Sequence, residues 1–219
     1  MNKQTTIRWV AKPIVFTLAL IPLAWIVWRI VTGDVGTGLN ANPVETVNRY
    51  LGDWALRFIL ITLCITPLVK IFNWTTAIRF RRMLGLFAFF YATLHLSNYI
   101  IADQFFNWTD IWADIVKRVY ITIGMATFAV LLALAVTSPK AAIRKMGAKR
   151  WRLLHRSIYV AALGGVFHYW MMVKADLSGP IIHAAILAIL LGYRLMKARN
   201  KPTISPDRTA RRSTKEQTT

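Results

Sequence analysis

Three of the four histidines in the chain, His95, His155 and His168, lie inside or at the edge of long apolar stretches. An imidazole is costly in the hydrocarbon of a membrane, so a histidine placed there usually has a partner and often a function. Two histidines on different helices at a similar depth can hold one metal ion between them, and heme iron is often held by histidine. These residues therefore point to a redox cofactor inside a membrane domain.

The helices that must position these histidines follow from the lengths of the apolar stretches. A membrane span needs about 20 mostly apolar residues, and six such stretches occur, at residues 13–31, 54–72, 83–101, 119–137, 153–173 and 180–196. With 56% hydrophobic and 17% charged residues, the chain is predicted to be an all-α, polytopic membrane protein, a bundle of six transmembrane helices. We expect one domain over residues 13–198, an N-terminal segment at 1–12 and a basic, disordered tail at 199–219.

The basic residues predict the orientation of this bundle. If the N-terminus is cytoplasmic, the cytoplasmic segments carry 22 of the 28 Lys and Arg residues, and the opposite side carries six of them together with seven of the nine acidic residues. Positive charge collects in cytoplasmic loops, so both termini are predicted to be cytoplasmic. The formal net charge of +19 is explained in this way without nucleic acid, although a basic inner face can attract anionic membrane lipid.

His95 and His168 are predicted to lie at comparable depths. His95 follows Arg82 by 13 residues, about 20 Å of helix, and it precedes Asp103 by eight, while His168 precedes Lys174 by six. Both spans run in the same direction, so the two imidazoles can face each other across a porphyrin in the outer half of the bilayer. Ligation of the iron on both sides favours electron transfer over oxygen chemistry. The alternative is that each histidine only hydrogen-bonds to a neighbouring helix.

His155 lies near the cytoplasmic edge, 13 residues before His168. This gap, about 20 Å of helix, suits a second heme below the first, but the same 13 residues also turn the helix by about 140°. A second ligand would have to come from about 13 residues before His95, where the chain has only Arg81 and Arg82, just before the third span. A second heme is therefore left open, and His155 can instead bind a propionate, a quinone or a flavin.

Three other side chains in or beside the apolar stretches have distinct interpretations. Arg57 lies just inside the outer end of the second span, where a guanidinium can clamp the propionates of a heme; the alternative is an arginine that snorkels to the interface. His183, near the outer end of the sixth span, is interpreted as structural. Cys64 is the single cysteine, which excludes an intramolecular disulfide and a CxxC motif.

The sequence around the histidines resembles a known family of membrane cytochromes. The similarity lies in the segments RRMLGLFAFFYATLHLSNY, LAVTSPKAAIRKMGAKRWRLLHRSIYV and HYWMMVK, and it extends over residues 10–198. On these residues the chain resembles the MsrQ family (formerly YedZ), the heme-binding membrane subunits of the bacterial periplasmic methionine sulfoxide reductase system, within the group of ferric-reductase-like transmembrane domains. The resemblance implies that His95 and His168 are the main heme ligands and that His155 is the family's third histidine.

The resemblance also implies a function. A subunit of this kind takes electrons from the quinone pool, or from a flavin reduced by a cytoplasmic flavin reductase, and passes them through heme b. The acceptor is a periplasmic molybdopterin-containing catalytic subunit that reduces methionine sulfoxide in oxidised proteins. The subunit is then a multi-pass protein of the bacterial inner membrane and not itself the enzyme. It carries one heme b, with a second left open, and FMN is implied by the resemblance alone.

Two other functions are left open by the residues. A stand-alone transmembrane ferric or quinone reductase usually carries an attached flavin/NAD(P)H domain, for which 219 residues leave no room. A non-redox transporter would be expected to show internal repeats or interrupted helix pairs, and neither is evident in the sequence; a purely structural membrane protein is the remaining alternative.

Overall fold

The computed structural model describes residues 3–35 and 42–199, and every regular element in these residues is a helix. A helical turn (Lys3–Thr6) and a π-helical turn (Ile7–Ala11) lead directly into α1. A 3₁₀ turn (Thr75–Phe80) precedes α3, and a π-helical turn (Tyr99–Asp103) extends it. The helices are α1 (Lys12–Val31), α2 (Pro43–Phe72), α3 (Arg81–Asn98), α4 (Trp108–Lys117), α5 (Val119–Val136), α6 (Lys140–Met146), α7 (Ala148–His155), α8 (Ile158–Met172) and α9 (Ser178–Arg199).

Five helical stretches of the described chain are long and apolar enough to cross a membrane, and they coincide with five of the six predicted spans. Large apolar side chains lie on the outside of the bundle, such as Trp25, Phe167 and Ile189, which is 71% exposed. An apolar exterior is expected where lipid is the solvent, because lipid tails are as apolar as leucine. The all-α, multi-pass membrane architecture is therefore confirmed. The five stretches are Gln4–Val31, Pro43–Phe72, Thr75–Asp103, Val119–Val136 and Ser178–Arg199.

The predicted span at 153–173 differs, because a turn divides it into α7 and α8. The backbone N–H groups of Arg156 and Ser157 donate to the carbonyls of Leu153 and Leu154, which tightens the chain into a turn. The Ser157 hydroxyl also donates to the Leu154 carbonyl, at 2.7 Å. The 15 residues of α8 extend only about 22 Å, less than the roughly 30 Å of a hydrocarbon core. The sixth crossing is therefore not established by the length of this helix.

Three smaller expectations have different outcomes. The segment 1–12 is not separate from the first span, because the helix already begins at Lys3. The loop predicted between the third and fourth spans contains the short helix α4. Most of the predicted tail, residues 200–219, lies outside the described residues, so its predicted disorder stays a prediction.

The long helix α2 begins well before the predicted start at residue 54. The Asn42 side chain accepts hydrogen bonds from the backbone N–H groups of Val44 and Glu45, and Pro43 occupies the first helical position. An asparagine cap followed by proline is a strong start signal. Asn73, in the left-handed conformation with φ of 53°, ends the helix, as asparagine often does. The early start places about three further helical turns beside α3, and these turns contribute to the site.

The core consists of two antiparallel hairpins, α2 with α3 and α5 with α8, which pack against each other. Helix α9 packs against α2 and α8, and α1 packs against α2 and α3. Ala88, Ala161 and Ala162 have no exposed surface. Small residues at these contacts let helices approach closely, which is how helices associate in membranes.

Tyr91 connects α1 to this core. Its hydroxyl donates to the carbonyl of Ala19 at 2.8 Å and accepts the backbone N–H of Leu23 at 3.1 Å. These two backbone groups would bond to each other in a regular helix, so the hydroxyl is inserted into the hydrogen-bond ladder beside Pro22. Polar groups freed near a proline in a membrane helix are satisfied in this way by a neighbouring helix.

The two ends of the bundle carry opposite charge. The basic residues of segments 79–82 and 140–156 lie where α3 begins and α5 ends, which we name the basic end. Asp103, Asp110 and Asp114 lie where α3 ends and α5 begins, which we name the acidic end.

Candidate cofactor site

His95 on α3 and His168 on α8 face each other across the two hairpins. Their ring centroids lie 6.1 Å apart, and the ring planes cross at 84°. An imidazole nitrogen bound to a metal ion lies about 2 Å from it, with the ring centroid about 1 Å further away, so two rings on opposite sides of one ion have centroids about 6 Å apart. The observed separation therefore suits one metal ion between the two rings. The proximity expected from the depths of these histidines is present in the structure.

Each of the two imidazoles is held by a backbone carbonyl of the neighbouring helix. His95 Nδ1 lies 2.9 Å from the Asn48 carbonyl oxygen, and His168 Nδ1 lies 2.6 Å from the Tyr120 carbonyl oxygen. A carbonyl oxygen only accepts, so each Nδ1 carries the proton and donates it. The lone pair of each neutral ring is then on Nε2, the atom that binds a metal, and a carbonyl partner of this kind fixes the tautomer and the ring orientation.

The same arrangement occurs in both hairpins. The carbonyl partner precedes its histidine by 47 residues in one hairpin and by 48 in the other. Four residues after each partner is a glycine, Gly52 or Gly124, and a Cβ added there would lie 3.0 or 2.9 Å from the imidazole ring. The repeat is not evident as a repeated stretch of sequence, because it consists of only three positions per hairpin. A glycine at nearly the same distance before each histidine is the signal that could have revealed it.

A cavity of about 350 Å³ surrounds the two histidines and opens toward the acidic end. Its walls next to the histidines are apolar, and Gly52, Gly124 and Gly165 provide backbone surface there. A concave site with apolar walls and a small number of placed polar groups is typical of a cofactor pocket. Two neutral Nε2 donors in such a pocket suit heme iron, which takes one nitrogen ligand on each face of a flat macrocycle. The apolar wall includes Ala55, Leu56, Ile59, Ala92, Ile121, Phe128 and Leu131.

Charged and hydrogen-bonded side chains surround the mouth of this cavity. Arg118 Nε lies 3.0 Å from Asp114 Oδ1, and the Tyr99 hydroxyl donates to Asp114 Oδ2 at 3.1 Å. The pKa of the Arg118 guanidinium is raised, chiefly because it donates a hydrogen bond to the Tyr120 hydroxyl. The nearby Asp114 carboxylate raises it further. Arg118 is therefore a fixed positive charge at the mouth. Arg49 is the second cation among the residues that line the cavity.

Arg57, the predicted propionate partner, lies outside the lining of this cavity. Its guanidinium lies 2.5 Å from Asp53 Oδ2 and 4.8 Å from the ring centroid of Trp54. The side chain is 45% exposed. This position suits the alternative interpretation of a snorkelling arginine, and its role toward a propionate stays a prediction.

His155 lies at the basic end, away from the lining of the cavity. Its Nε2 is 3.2 Å from Thr137 Oγ1, whose proton is already donated to the Ala133 carbonyl at 2.6 Å, so Nε2 is the donor. The ring stacks on Trp151 at 4.0 Å between centroids. The structure therefore brings His95 and His168 together and leaves His155 in a separate polar cluster.

His183 is buried rather than interfacial, with 7% of its surface exposed. Its Nδ1 lies 2.8 Å from the Gly179 carbonyl, and its Nε2 lies 3.2 Å from Asp53 Oδ1. Asp53 thus lies between His183 and Arg57, and it joins α9 to α2. The structural interpretation of His183 fits this position, with a more specific set of partners than the sequence indicated.

Comparison with known proteins places the chain in a family. The family model described as ferric reductase like transmembrane component matches residues 51–166. The protein-methionine-sulfoxide reductase heme-binding subunit MsrQ of Rhodospirillum rubrum is 54% identical over 84% of this chain and 86% of its own length. The subunit of the same name from Caulobacter vibrioides is 43% identical over 85% and 87% of the two chains.

A third relative extends this similarity to almost the full length. The heme-binding subunit MsrQ of Xanthomonas euvesicatoria pv. vesicatoria is 44% identical over 98% of this chain and 97% of its own. Identities of this size over most of both chains leave no doubt about common descent. The chain therefore belongs to the MsrQ family of protein-methionine-sulfoxide reductase heme-binding subunits, within the ferric reductase like transmembrane components.

Proposed function

We propose that this protein is the electron-transfer subunit of a methionine sulfoxide reductase and that His95 and His168 bind the iron of a heme b. The observation that carries the proposal is the His95–His168 pair, with its 6.1 Å separation and two free Nε2 atoms. The names of the relatives, which are heme-binding subunits of such a reductase, support the choice of cofactor and system.

The chain's own residues fit the needs of one-electron transfer. The bound heme supplies the one-electron change of its iron. The Asn48 and Tyr120 carbonyls hold the two imidazoles in place, so little reorganisation is needed when the charge changes. If His95 and His168 both bind the iron, they would leave no coordination position for oxygen or substrate. Apolar walls next to the histidines would limit water at the site, and Arg49 and Arg118 at the mouth are the cations that could hold the anionic groups of a bound cofactor.

The proposed orientation places the basic end in the cytoplasm and the acidic end in the periplasm. The positive-inside rule supports it, because segments 79–82 and 140–156 are strongly basic. In this orientation α8 is a sixth, short crossing, since α7 and α9 approach it from opposite ends. A bilayer can thin locally around a short helix. The cavity mouth then faces the compartment of the proposed catalytic partner.

The proposed partner is a periplasmic, molybdopterin-containing catalytic subunit in which the sulfoxide is reduced. Reduction of one methionine sulfoxide consumes two electrons and two protons and yields methionine and water, so the subunit delivers two electrons in succession. The proposed donor is the quinone pool or a flavin, and FMN is part of the proposal by family resemblance. The cell inner membrane is the proposed location.

The test follows the electrons. The heme of the purified protein is reduced, the catalytic partner and a methionine sulfoxide substrate are added, and the reduced heme absorption is recorded with time. We expect reoxidation that needs both partner and substrate. If reduced heme persists with both present, or is reoxidised equally without the partner, the proposed function is wrong.

A further inference from the structure

We infer that Gly52 and Gly124 are positioning residues that hold the His95 and His168 rings nearly perpendicular and thereby set the ligand field of the metal between them. The inference rests on the proposed function. It concerns the angle between the ligands rather than their identity.

Each imidazole ring lies very close to a glycine of the neighbouring helix. A Cβ added at Gly52 would lie 3.0 Å from His95 Cε1 and Nδ1, and one added at Gly124 would lie 2.9 Å from the same atoms of His168. Real Cβ atoms are very rarely this close to another heavy atom. Each imidazole therefore lies against a helix at a point where a side chain larger than that of glycine would push the ring aside.

Neither imidazole ring can move aside freely, because each is held by a hydrogen bond. Each Nδ1 donates to a carbonyl one helical turn before the glycine, from Asn48 to Gly52 and from Tyr120 to Gly124. Rotating a ring away from an added methyl group would break this hydrogen bond. Carbonyl and glycine together thus restrict each ring to a single orientation, and the restriction is the same in both hairpins.

The angle between the two imidazole planes is itself informative. The ring planes cross at 84°, close to the largest possible angle between two planes. Rotation of either ring about its metal–nitrogen axis by tens of degrees, in either direction, must therefore make the planes more parallel. Perpendicular imidazoles leave two iron d orbitals nearly equal in energy, whereas parallel imidazoles split them, and electron paramagnetic resonance of the low-spin ferric state reports the difference.

Other helical glycines lack this relationship. Gly85 is on α3, the helix of His95, but a Cβ added there would meet only a Thr62 methyl group at an ordinary 3.7 Å. Gly85 is also absent from the lining of the cavity. Gly85→Ala is therefore a matched control, since it makes the same chemical change in the same helix without contact to an imidazole.

The experiment compares Gly52→Ala, Gly124→Ala and Gly85→Ala as heme-loaded proteins. We expect Gly52→Ala and Gly124→Ala to shift the ferric signal from highly anisotropic toward rhombic. We also expect them to bind heme about 10- to 100-fold more weakly, the effect of a lost outer partner of a metal-bound histidine. Gly85→Ala should match the parent. Parent-like signals in Gly52→Ala and Gly124→Ala would overturn the inference.

The parent protein provides a second measurement that does not depend on folding of the variants. Nearly perpendicular rings predict a highly anisotropic low-spin signal for the heme held by His95 and His168. A rhombic parent signal would overturn the inference even if both glycine variants failed to fold. Absence of any bound heme in the parent would instead contradict the proposed function.

Discussion

The imidazole rings of His95 and His168 lie 6.1 Å apart between centroids and cross at 84°. They come from α3 and α8, which belong to different hairpins, so the site exists only when the two hairpins are packed together. The contact thus joins the two hairpins and forms the proposed cofactor site, so interactions that hold the hairpins together should also affect the cofactor.

Replacement of His155 tests whether the basic end holds a second heme. His155→Ala should keep the heme bound by His95 and His168, because His155 is not part of the lining of the cavity. Heme per polypeptide, measured after extraction, should stay at one if the parent binds one heme and fall from two to one if the parent binds two. Complete loss of heme from a folded His155→Ala variant would contradict the separation of His155 from the main site.

The orientation can be tested with single cysteines. In a Cys64→Ala background, Asp110→Cys places a thiol at the acidic end and Lys145→Cys places one at the basic end. We expect a membrane-impermeant maleimide to label Asp110→Cys in spheroplasts and to label Lys145→Cys only after the membrane is permeabilised. The reverse pattern would contradict the positive-inside orientation.

Asp53 should contribute to the stability of the bundle through His183 and Arg57. Asp53→Ala removes the carboxylate beside the buried His183 and leaves His183 Nε2 without a side-chain partner on α2, and we expect a loss of about 1–3 kcal/mol in the free energy of unfolding. Because Arg57 is 45% exposed, its share of this loss is small. Denaturant titration in detergent measures the effect.

The control for Asp53 is another acidic residue on α2. Glu45 pairs with Arg49, and the two side chains are 52% and 48% exposed. Glu45→Ala should therefore change the free energy of unfolding by less than about 1 kcal/mol. Equal effects of the Asp53 and Glu45 substitutions would show that the buried contact between Asp53 and His183 does not contribute to the free energy of unfolding.

Tyr91 should hold α1 against the bundle. Tyr91→Phe removes the hydroxyl between the Ala19 carbonyl and the Leu23 N–H, and we expect about 1 kcal/mol of destabilisation. Tyr193, whose ring lies beside Lys197, provides the control substitution Tyr193→Phe. Thermal unfolding in detergent measures both. No difference between them would mean that Ala19 and Leu23 simply bond to each other when the hydroxyl is removed.

The sequence predicts much of this architecture because membrane helices must be long and continuously apolar. Residues 119–137 were predicted as a span, and α5 covers Val119–Val136. The continuous helix predicted at 153–173 is divided into two in the structure, because hydropathy does not register a turn made by local backbone bonds at Arg156 and Ser157; the crossing itself stays a prediction. The prediction also missed α4, whose 10 residues are too few to appear as a span.

The site could be predicted only in part. The proximity of His95 and His168 followed from their depths, but their partners did not, because main-chain carbonyls have no signature in a sequence. The sequence also did not predict that His183 is buried, because Asp53, the carboxylate beside it, is on α2 and far away in the sequence. Arg57 was chosen for its depth alone, and depth does not say which face of α2 a side chain occupies.

The most direct test of the account is the reduced-minus-oxidised visible spectrum of the purified parent, His95→Ala and His168→Ala proteins. The account predicts a low-spin b-type spectrum in the parent. It predicts loss of that spectrum in each variant while helical content is retained, because each ring supplies one Nε2 ligand. A parent-like heme spectrum and heme content in either alanine variant would contradict the assignment of His95 and His168 as the heme ligands.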